Sequence, residues 1–410
     1  MRGPQGPRIA SKTDIKTMAA NVNSTGKIPF WRDERFLGAG AQIISSIIVL
    51  GLLYWMGSNF LEITKQRGIS LSYRFLSEPA GFPISESTIE YNPGMSFGRA
   101  FLVGLVNTIN VSIAGIILAT ILGFFIGLAR LSSNWLLSRL AVAFIEFHRN
   151  IPLLVLLFLW YFAVFNRLPP IKDSIVLPGP SYMSLRGLYL AWPRLTETGG
   201  IFIAFLIGGL ILAVLAWNIL IRIRERTGRE TYYVQVSLGV LFVLPVIGWI
   251  VSGGHPLRLD VPVLEGFNFS NGLRLTTEFG ALLIGLTTYT AAFIAEVVRS
   301  GIQAVHRGQS EAAKAIGLNN FQALRLIVVP QAMRVIIPPL ISQYLNLTKN
   351  SSLALAIGYQ DLFAIGKVTI NQAGRAVPVF IMVMLTYLAL SLITSFVLNI
   401  YNRRIQFVER

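Results

Sequence analysis

Long apolar stretches set the first limit on this chain. A helix needs about 20 mostly apolar residues to cross the hydrocarbon core of a bilayer. Runs of that kind fall at about 37–57, 98–129, 141–165, 199–221, 234–252, 278–298, 335–356 and 376–401. In lipid every backbone N–H and C=O must be satisfied within the segment, and a helix does this alone. The expected fold class is an all-α integral membrane protein with about eight transmembrane helices. The run 335–356 is the most interrupted, by Pro338, Pro339, Asn346 and Lys349. Proline is tolerated in a membrane helix where neighbours satisfy the freed carbonyls. Composition agrees. Of 410 residues 53% are hydrophobic and 13% charged, against about 25% charged in an ordinary soluble domain.

The formal net charge is +16. The basic residues lie between apolar runs, so lipid and not nucleic acid is the expected partner. With the N-terminus inside, segments 1–36, 130–140, 222–233, 299–334 and 402–410 hold 21 Lys or Arg. The outside segments 58–97, 166–198, 253–277 and 357–375 hold 11, over more residues. The run Arg222, Arg224, Arg226 and Arg229 weighs most, because short basic loops stay cytoplasmic. An even number of spans leaves both termini cytoplasmic. Residues 1–36 are polar and no convincing cleavage site follows the first apolar run. They read as a cytoplasmic N-terminal arm, not a cleaved signal peptide. The outside segments are rich in turn formers and read as short irregular loops or small amphipathic pieces.

Cysteine is absent, which excludes disulfides, thiolate metal sites and thiol nucleophiles. Three histidines, His148, His255 and His306, offer few ligands for a metal. No His/Asp/Glu constellation of a membrane enzyme converges in the sequence, and no catalytic residue or cofactor is expected in this chain. The nearest approach to a phosphate-binding loop is Gly366-Lys367. There Val368 replaces the required Ser or Thr, and Asp361 occupies the first glycine position. Any ATP must be bound by another protein.

The inside segment 299–334 is long for a link between helices, which typically runs about 2–8 residues. Residues 310–316 are in the main good helix formers, and Gly317 falls at a C-terminal cap. A second helix is expected from about Asn320 to Val329, ended or kinked by Pro330. The pair would form a helix–turn–helix at the membrane surface. Ala312, Ala313 and Ala315 are small enough for a partner surface to approach closely. Glu311 would sit near a helix N-terminus, where its charge is favourable.

This segment resembles the coupling loop of ABC importer permeases. That pattern is Glu-Ala-Ala, three residues, Gly, nine residues, Ile-x-Leu-Pro. Glu311, Ala312, Ala313, Gly317, Ile327 and Pro330 fall in register, with Val329 in place of Leu. Gly308-Gln309 precedes it as in the polar amino-acid branch of that family. Arg149-Asn150-Ile151-Pro152 is similar to the branch's Arg-Gly-Thr-Pro signature. The stretch Ala295-Glu296 to Arg299-Ser300-Gly301 also matches, as do Pro330-Gln331-Ala332, Pro338-Pro339-Leu340 and Lys349-Asn350-Ser351-Ser352-Leu353, with Asn350 where many members carry Asp. The resemblance covers about 98–165 and 278–410.

It implies a type I importer permease core split into 98–165 and 278–410. An extra N-terminal helix and outer loop would occupy 37–97, and an insertion with two extra spans 166–277. These enlargements resemble the long permeases of general L-amino-acid and of glutamate/glutamine/aspartate/asparagine importers. The implied function is the permease subunit of a binding-protein-dependent importer in a bacterial inner membrane. The implied partners are ABC ATPase subunits that bind ATP and Mg, a periplasmic amino-acid-binding protein, and a second, related permease in a heterodimer. The implied substrates are L-amino acids of broad or acidic/amide type.

Polar residues inside spans are costly and are usually paired or functional. Asn107, Asn110, Arg149, Glu296, Asn346, Lys349 and Asn350 qualify. An amino acid carries an ammonium and a carboxylate, so Lys349, Asn350 and Ser351 with Glu296 are candidates to line its path. Lys349 and Glu296 pairing with each other is the structural alternative. Arg149 either joins the path or snorkels to the surface. Gly123 and Gly127 form a small-xxx-small pair suited to close helix contact. An ion-coupled secondary amino-acid transporter would explain broken helices and buried charges, but not the coupling loop.

Overall fold

The structure is a computed structural model that describes residues 34–68 and 70–405. The expected N-terminal arm lies outside the described residues over positions 1–33, as do residues 406–410. Among the described residues seven helices are long and apolar enough to cross a membrane, or eight if one bent pair counts as a span. The chain divides into two compact units, the first ending at Leu71. That unit contains α1 (Glu34–Gln66), an apolar helix with nearly all its described side chains exposed. A helix apolar all round needs lipid or another chain for cover.

The second unit is built on α2 (Phe97–Arg130) and α7 (Thr277–Gln303), which run parallel in close contact. The contact is close because two glycines line it. A Cβ on Gly123 would lie 2.8 Å from the Ala291 carbonyl oxygen, and one on Gly127 2.8 Å from that of Ala295. The small-xxx-small spacing therefore marks the main seam of the core. Leu157, Leu282, Leu286, Ile294, Ile336 and Leu347 fill the space around it.

The run 141–165 is not one straight span. It divides into α3 (Trp135–Asn150) and α4 (Leu153–Phe158), the latter extended by a π-turn over Leu159–Val164 and a short 3-10 turn to Arg167. The two stretches meet at 107°. Pro152 is the reason. It forces Ile151 into extended backbone (φ −103°, ψ 129°), as the residue before a proline prefers.

The outside segments 166–198 and 253–277 are not irregular. They contain β1 (Ile175–Leu177), β2 (Ser181–Ser184), β3 (Gly187–Leu190), β4 (Trp192–Leu195), β5 (Leu257–Asp260), β6 (Val263–Glu265), β7 (Asn268–Ser270) and β8 (Leu273–Leu275). The sheet order is β1-β2-β3-β8, with separate pairs β4-β5 and β6-β7. Leu188 pairs with Leu275 and Arg194 with Arg258 across the intervening spans. Strands of three or four residues are too short to leave a readable alternation. The pairing fixes both ends of the hairpin formed by α5 (Gly199–Thr227) and α6 (Tyr233–Val251).

After α7 come α8 (Arg307–Ala315), α9 (Asn320–Ala323), a π-turn over Leu324–Val328, and α10 (Val329–Asn350). A 3-10 stretch over Ser351–Ile357 follows. Residues 320–357 form one helical course, so Pro330 does not end the second helix. The register change at the π-turn leaves room for a residue that donates no N–H. The segment 357–375 holds a further helix, α11 (Leu362–Ala373), before α12 (Ala376–Ile405). Asp361 caps its start through Ala364 N at 2.8 Å, and Gly374 (φ +65°) ends it.

Segments cluster at opposite ends of α2 and α7. The loop 72–96, the strands and the turn 358–361 meet at the ends where these helices begin. Residues 129–137 meet 302–324 where they finish. The charge reading makes the first group the outer end and the second the inner.

Candidate functional site

At the inner end, α8 begins at Arg307, three residues earlier than its composition suggests. The His306 ring nitrogen Nδ1 accepts a hydrogen bond from Gly308 N at 3.1 Å and caps the helix. Glu311 is thus mid-helix and not in the favourable first turn. The other end closes at Gly317, with φ +86°. Gly317 N donates to Lys314 O at 3.0 Å and Leu318 N to Ala313 O at 3.1 Å. This is a Schellman cap, which needs a left-handed residue at that position. Asn319 and Gln322 then form a capping box for α9.

The hairpin is fixed to its own chain on one side. Ala313 is buried there, so it packs the hairpin and does not face a partner, whereas Ala312 and Ala315 are exposed. Gln331 Nε2 donates to Gln309 Oε1 at 3.2 Å, tying α8 to α10. Ile327 is half-buried and Pro330 exposed. The other side is apolar and open: Ile316 is 75% exposed, Phe321 68% and Leu326 57%. Between α8 and the π-turn lies a cavity of about 560 Å³ bordered by Arg307, Ser310, Glu311 and Lys314.

Glu296 and Lys349 do not pair. Glu296 bonds Arg130 through one carboxylate oxygen and Arg299 Nη2 through the other at 2.9 Å. Both arginines lie near the inner ends of α2 and α7, and they reach Glu296 along the glycine seam. Arg299 also donates to Gln303 Oε1 at 2.5 Å. Glu296 is the carboxylate between two guanidinium groups, an arrangement that fixes the ends of the two helices together. The sequence offered the residues but not the partner, since Arg130 is 166 positions away.

Lys349 is exposed at the end of α10 and forms no ion pair among the described residues. It borders a cavity of about 300 Å³ with Ser352, Phe363, Val383 and Tyr387. Asn350 is half-buried beside it, and Ser351 is fully buried with its hydroxyl on Thr348 O at 2.8 Å. Arg149 is exposed, with its guanidinium 5.4 Å from the Phe293 ring centre, a cation–π contact. The structure does not bring Arg149, Glu296 and Lys349 into one cluster of contacts.

A polar knot at the outer end was only partly legible. Asn107 is buried, and its side-chain nitrogen donates to Glu86 O at 2.9 Å and Gln360 O at 3.0 Å. Gln360 Oε1 accepts from Ser85 N at 2.6 Å. Leu362 N donates to Thr108 Oγ1 at 3.0 Å, and Tyr387 donates to Asp361 Oδ2 at 2.9 Å. The Glu86 carboxylate accepts from the Thr276 hydroxyl at 2.5 Å. Burial lifts the Glu86 carboxyl above its ordinary range, and the Thr276 bonds pull it part of the way back. Asn107 stood out as a polar residue in an apolar run. Glu86, Gln360 and Asp361 lie in outer loops, where polar residues carry no such signal.

A family model described as "Binding-protein-dependent transport system inner membrane component" matches residues 222–407. The chain is 45% identical over 376 residues to YhdX of Escherichia coli K12, a putative amino-acid ABC transporter permease protein, covering 90% of this chain and 94% of YhdX. It is 41% identical to AapQ of Rhizobium johnstonii, a general L-amino acid transport system permease protein, over 92% of this chain and 94% of AapQ. It is 38% identical to BztB of Rhodobacter capsulatus, a glutamate/glutamine/aspartate/asparagine transport system permease protein, over 92% of this chain and 96% of BztB.

Proposed function

The chain belongs to the inner membrane components of binding-protein-dependent transport systems, and on that premise we propose that it passes L-amino acids of broad or acidic/amide type into the cell. It is the multi-pass, non-catalytic permease subunit of an ABC importer. The likeness to amino-acid permeases along nine-tenths of the chain supports the substrate class. The setting is a bacterial inner membrane, with both termini cytoplasmic by the charge distribution. A periplasmic amino-acid-binding protein delivers substrate, and a related second permease completes the pore. ATP and Mg bind to partner ATPase subunits.

The coupling element in this reading is the hairpin of α8 and α9. One observation carries it: the hairpin is locked to its own chain through Ala313 and Gln309 while Ile316, Phe321 and Leu326 stay uncovered. Exposed apolar side chains on a polar loop are what a docking surface needs. Gly308, Glu311, Ala312, Gly317, Ile327 and Pro330 set its shape. A push on it enters the continuous helical course 320–357, which carries Lys349, Asn350 and Ser351 in its last third. Lys349 is the candidate group for a substrate carboxylate. Glu296, bound by two arginines, acts as a structural clamp, and Arg149 stands in the last turn of α3, over the Phe293 ring of α7.

The test is purification of the intact complex followed by uptake of labelled amino acids into proteoliposomes with ATP inside and ion gradients collapsed. Uptake of several L-amino acids is expected, with glutamate, glutamine, aspartate and asparagine among them. Uptake that stops with the gradients while ATP persists would sink the reading.

A further inference from the structure

The α5–α6 hairpin carries features that transport does not use. At its inner end Arg222, Arg224, Arg226 and Arg229 sit with Glu225 and Glu230, four cations against two carboxylates. All six are exposed, and none forms an ion pair among the described residues. The Arg224 guanidinium lies 5.6 Å from the Tyr233 ring centre, and Tyr233 meets Trp217 edge-on at 4.9 Å. Arg224 and Tyr233 border a polar cavity of about 350 Å³ that Glu230 also lines.

Trp217 borders a second cavity, apolar and about 230 Å³, between α5 and α6. Its walls include Leu210, Val214, Leu238 and Leu241, and the small residues Ala213 and Ser237 are buried within it. Their size keeps this groove open. Trp217 precedes Arg224 by seven positions, about 10 Å along a helix. The order along the hairpin is therefore apolar groove, aromatic pair, basic cluster. Tryptophan and tyrosine favour the headgroup level of a bilayer. Basic pockets between spans on the cytoplasmic side suit anionic headgroups.

We propose that the α5–α6 hairpin binds an anionic glycerophospholipid, with its phosphate beside Arg224 and one acyl chain in the groove between Ala213 and Ser237. The excess of arginine over glutamate selects against a zwitterionic headgroup. A free phosphate would leave the groove empty. The positive-inside rule accounts for basic residues in this loop, but not for a guanidinium held over Tyr233, itself against Trp217, at the mouth of an apolar groove.

The test uses the full chain, purified in detergent and titrated with phosphatidylglycerol, phosphatidylethanolamine, phosphatidylcholine or inorganic phosphate in native mass spectrometry. Phosphatidylglycerol is expected to bind at least roughly tenfold more tightly than the two zwitterionic lipids. Replacing all four arginines with glutamine weakens it roughly tenfold to a hundredfold. Because that variant also weakens the orientation signal, a second one, Ala213→Leu with Ser237→Leu, fills the groove and keeps every charge. It too is expected to lose the preference. Equal binding of the three lipids, displacement by inorganic phosphate, or unchanged binding in the filled-groove variant overturns the proposal.

Discussion

Gly317→Val separates backbone strain from bulk at the coupling hairpin. Gly317 has φ +86°, and a Cβ built on it meets nothing within 4 Å. A side chain there clashes with no neighbour, so the penalty is that of left-handed backbone, about 1–2 kcal/mol for an L residue. Asparagine visits this region more readily than alanine or valine. The turn is closed by two hydrogen bonds, from Gly317 N and Leu318 N, each contributing about 0.5–1.5 kcal/mol net. Strain and cap are of similar size. A loss of 1–2 kcal/mol lowers the population of the ordered turn roughly 5–30-fold. ATP-driven uptake in membrane vesicles, with the amount of co-purifying ATPase measured alongside, should rank wild type, Asn, Ala and Val in falling order. Membrane insertion should be unchanged, because the strain is confined to an exposed turn. Wild-type uptake by Gly317→Val, or an asparagine variant weaker than the alanine one, refutes the reasoning.

At the glycine seam, overpacking by Gly123→Ala costs about 1–3 kcal/mol, of which about 1 returns as helix propensity. It should melt below wild type in detergent, while Gly208→Ala, whose added Cβ meets nothing within 4 Å, should melt at or above it; equal shifts would contradict the close seam. Glu86 has its carboxyl raised above 4.5 by burial, so its folded-state contribution is best when protonated and is lost as pH rises through the raised value. Glu86→Gln should therefore match or exceed wild type in thermal stability at pH 7, with the difference shrinking as pH falls below the unfolded value; a difference that grows on acidification would reverse the assignment. Lys349→Ala should raise KM or lower the rate of uptake for amino acids without reducing the amount of subunit inserted, and unchanged kinetics would remove Lys349 from the path.

Much of the membrane part was legible because a 20-residue apolar run has few alternatives in lipid. The coupling segment was legible for a different reason: Gly317 can be recognised as a cap from local sequence alone. What failed was whatever depends on distant partners. Glu296 looked available to Lys349, yet Arg130 and Arg299 hold it. Ala313 looked like a contact residue, yet its side chain is covered by its own chain. Pro330 carried a stop signal that the preceding π-turn absorbs. The strands of the insertion are three or four residues long, and two of their pairings, β3 with β8 and β4 with β5, join residues more than 60 positions apart, which no window along the chain contains.

The two ends of the permease are joined by the course from Asn320 to Ile357, and this has a mechanical consequence. From the π-turn to Ile357 the helix is about 45 Å long at 1.5 Å per residue. A tilt of about 5° at the π-turn moves its far end by about 4 Å. Gly358 turns the chain directly into Gln360 and Asp361, which are bonded to Asn107, Ser85 and Tyr387 over 2.6–3.0 Å. Hydrogen bonds of this kind weaken steeply beyond about 3.5 Å, so the outer knot cannot survive such a tilt unless Asn107, and with it α2, moves too. The α2–α7 seam opposes that movement, because Gly123 and Gly127 leave no slack against Ala291 and Ala295. Asn107→Leu removes the knot's central donor and leaves the seam intact. It should uncouple the ends, giving ATP hydrolysis with reduced uptake, whereas a parallel fall in both activities would place the mechanical link elsewhere.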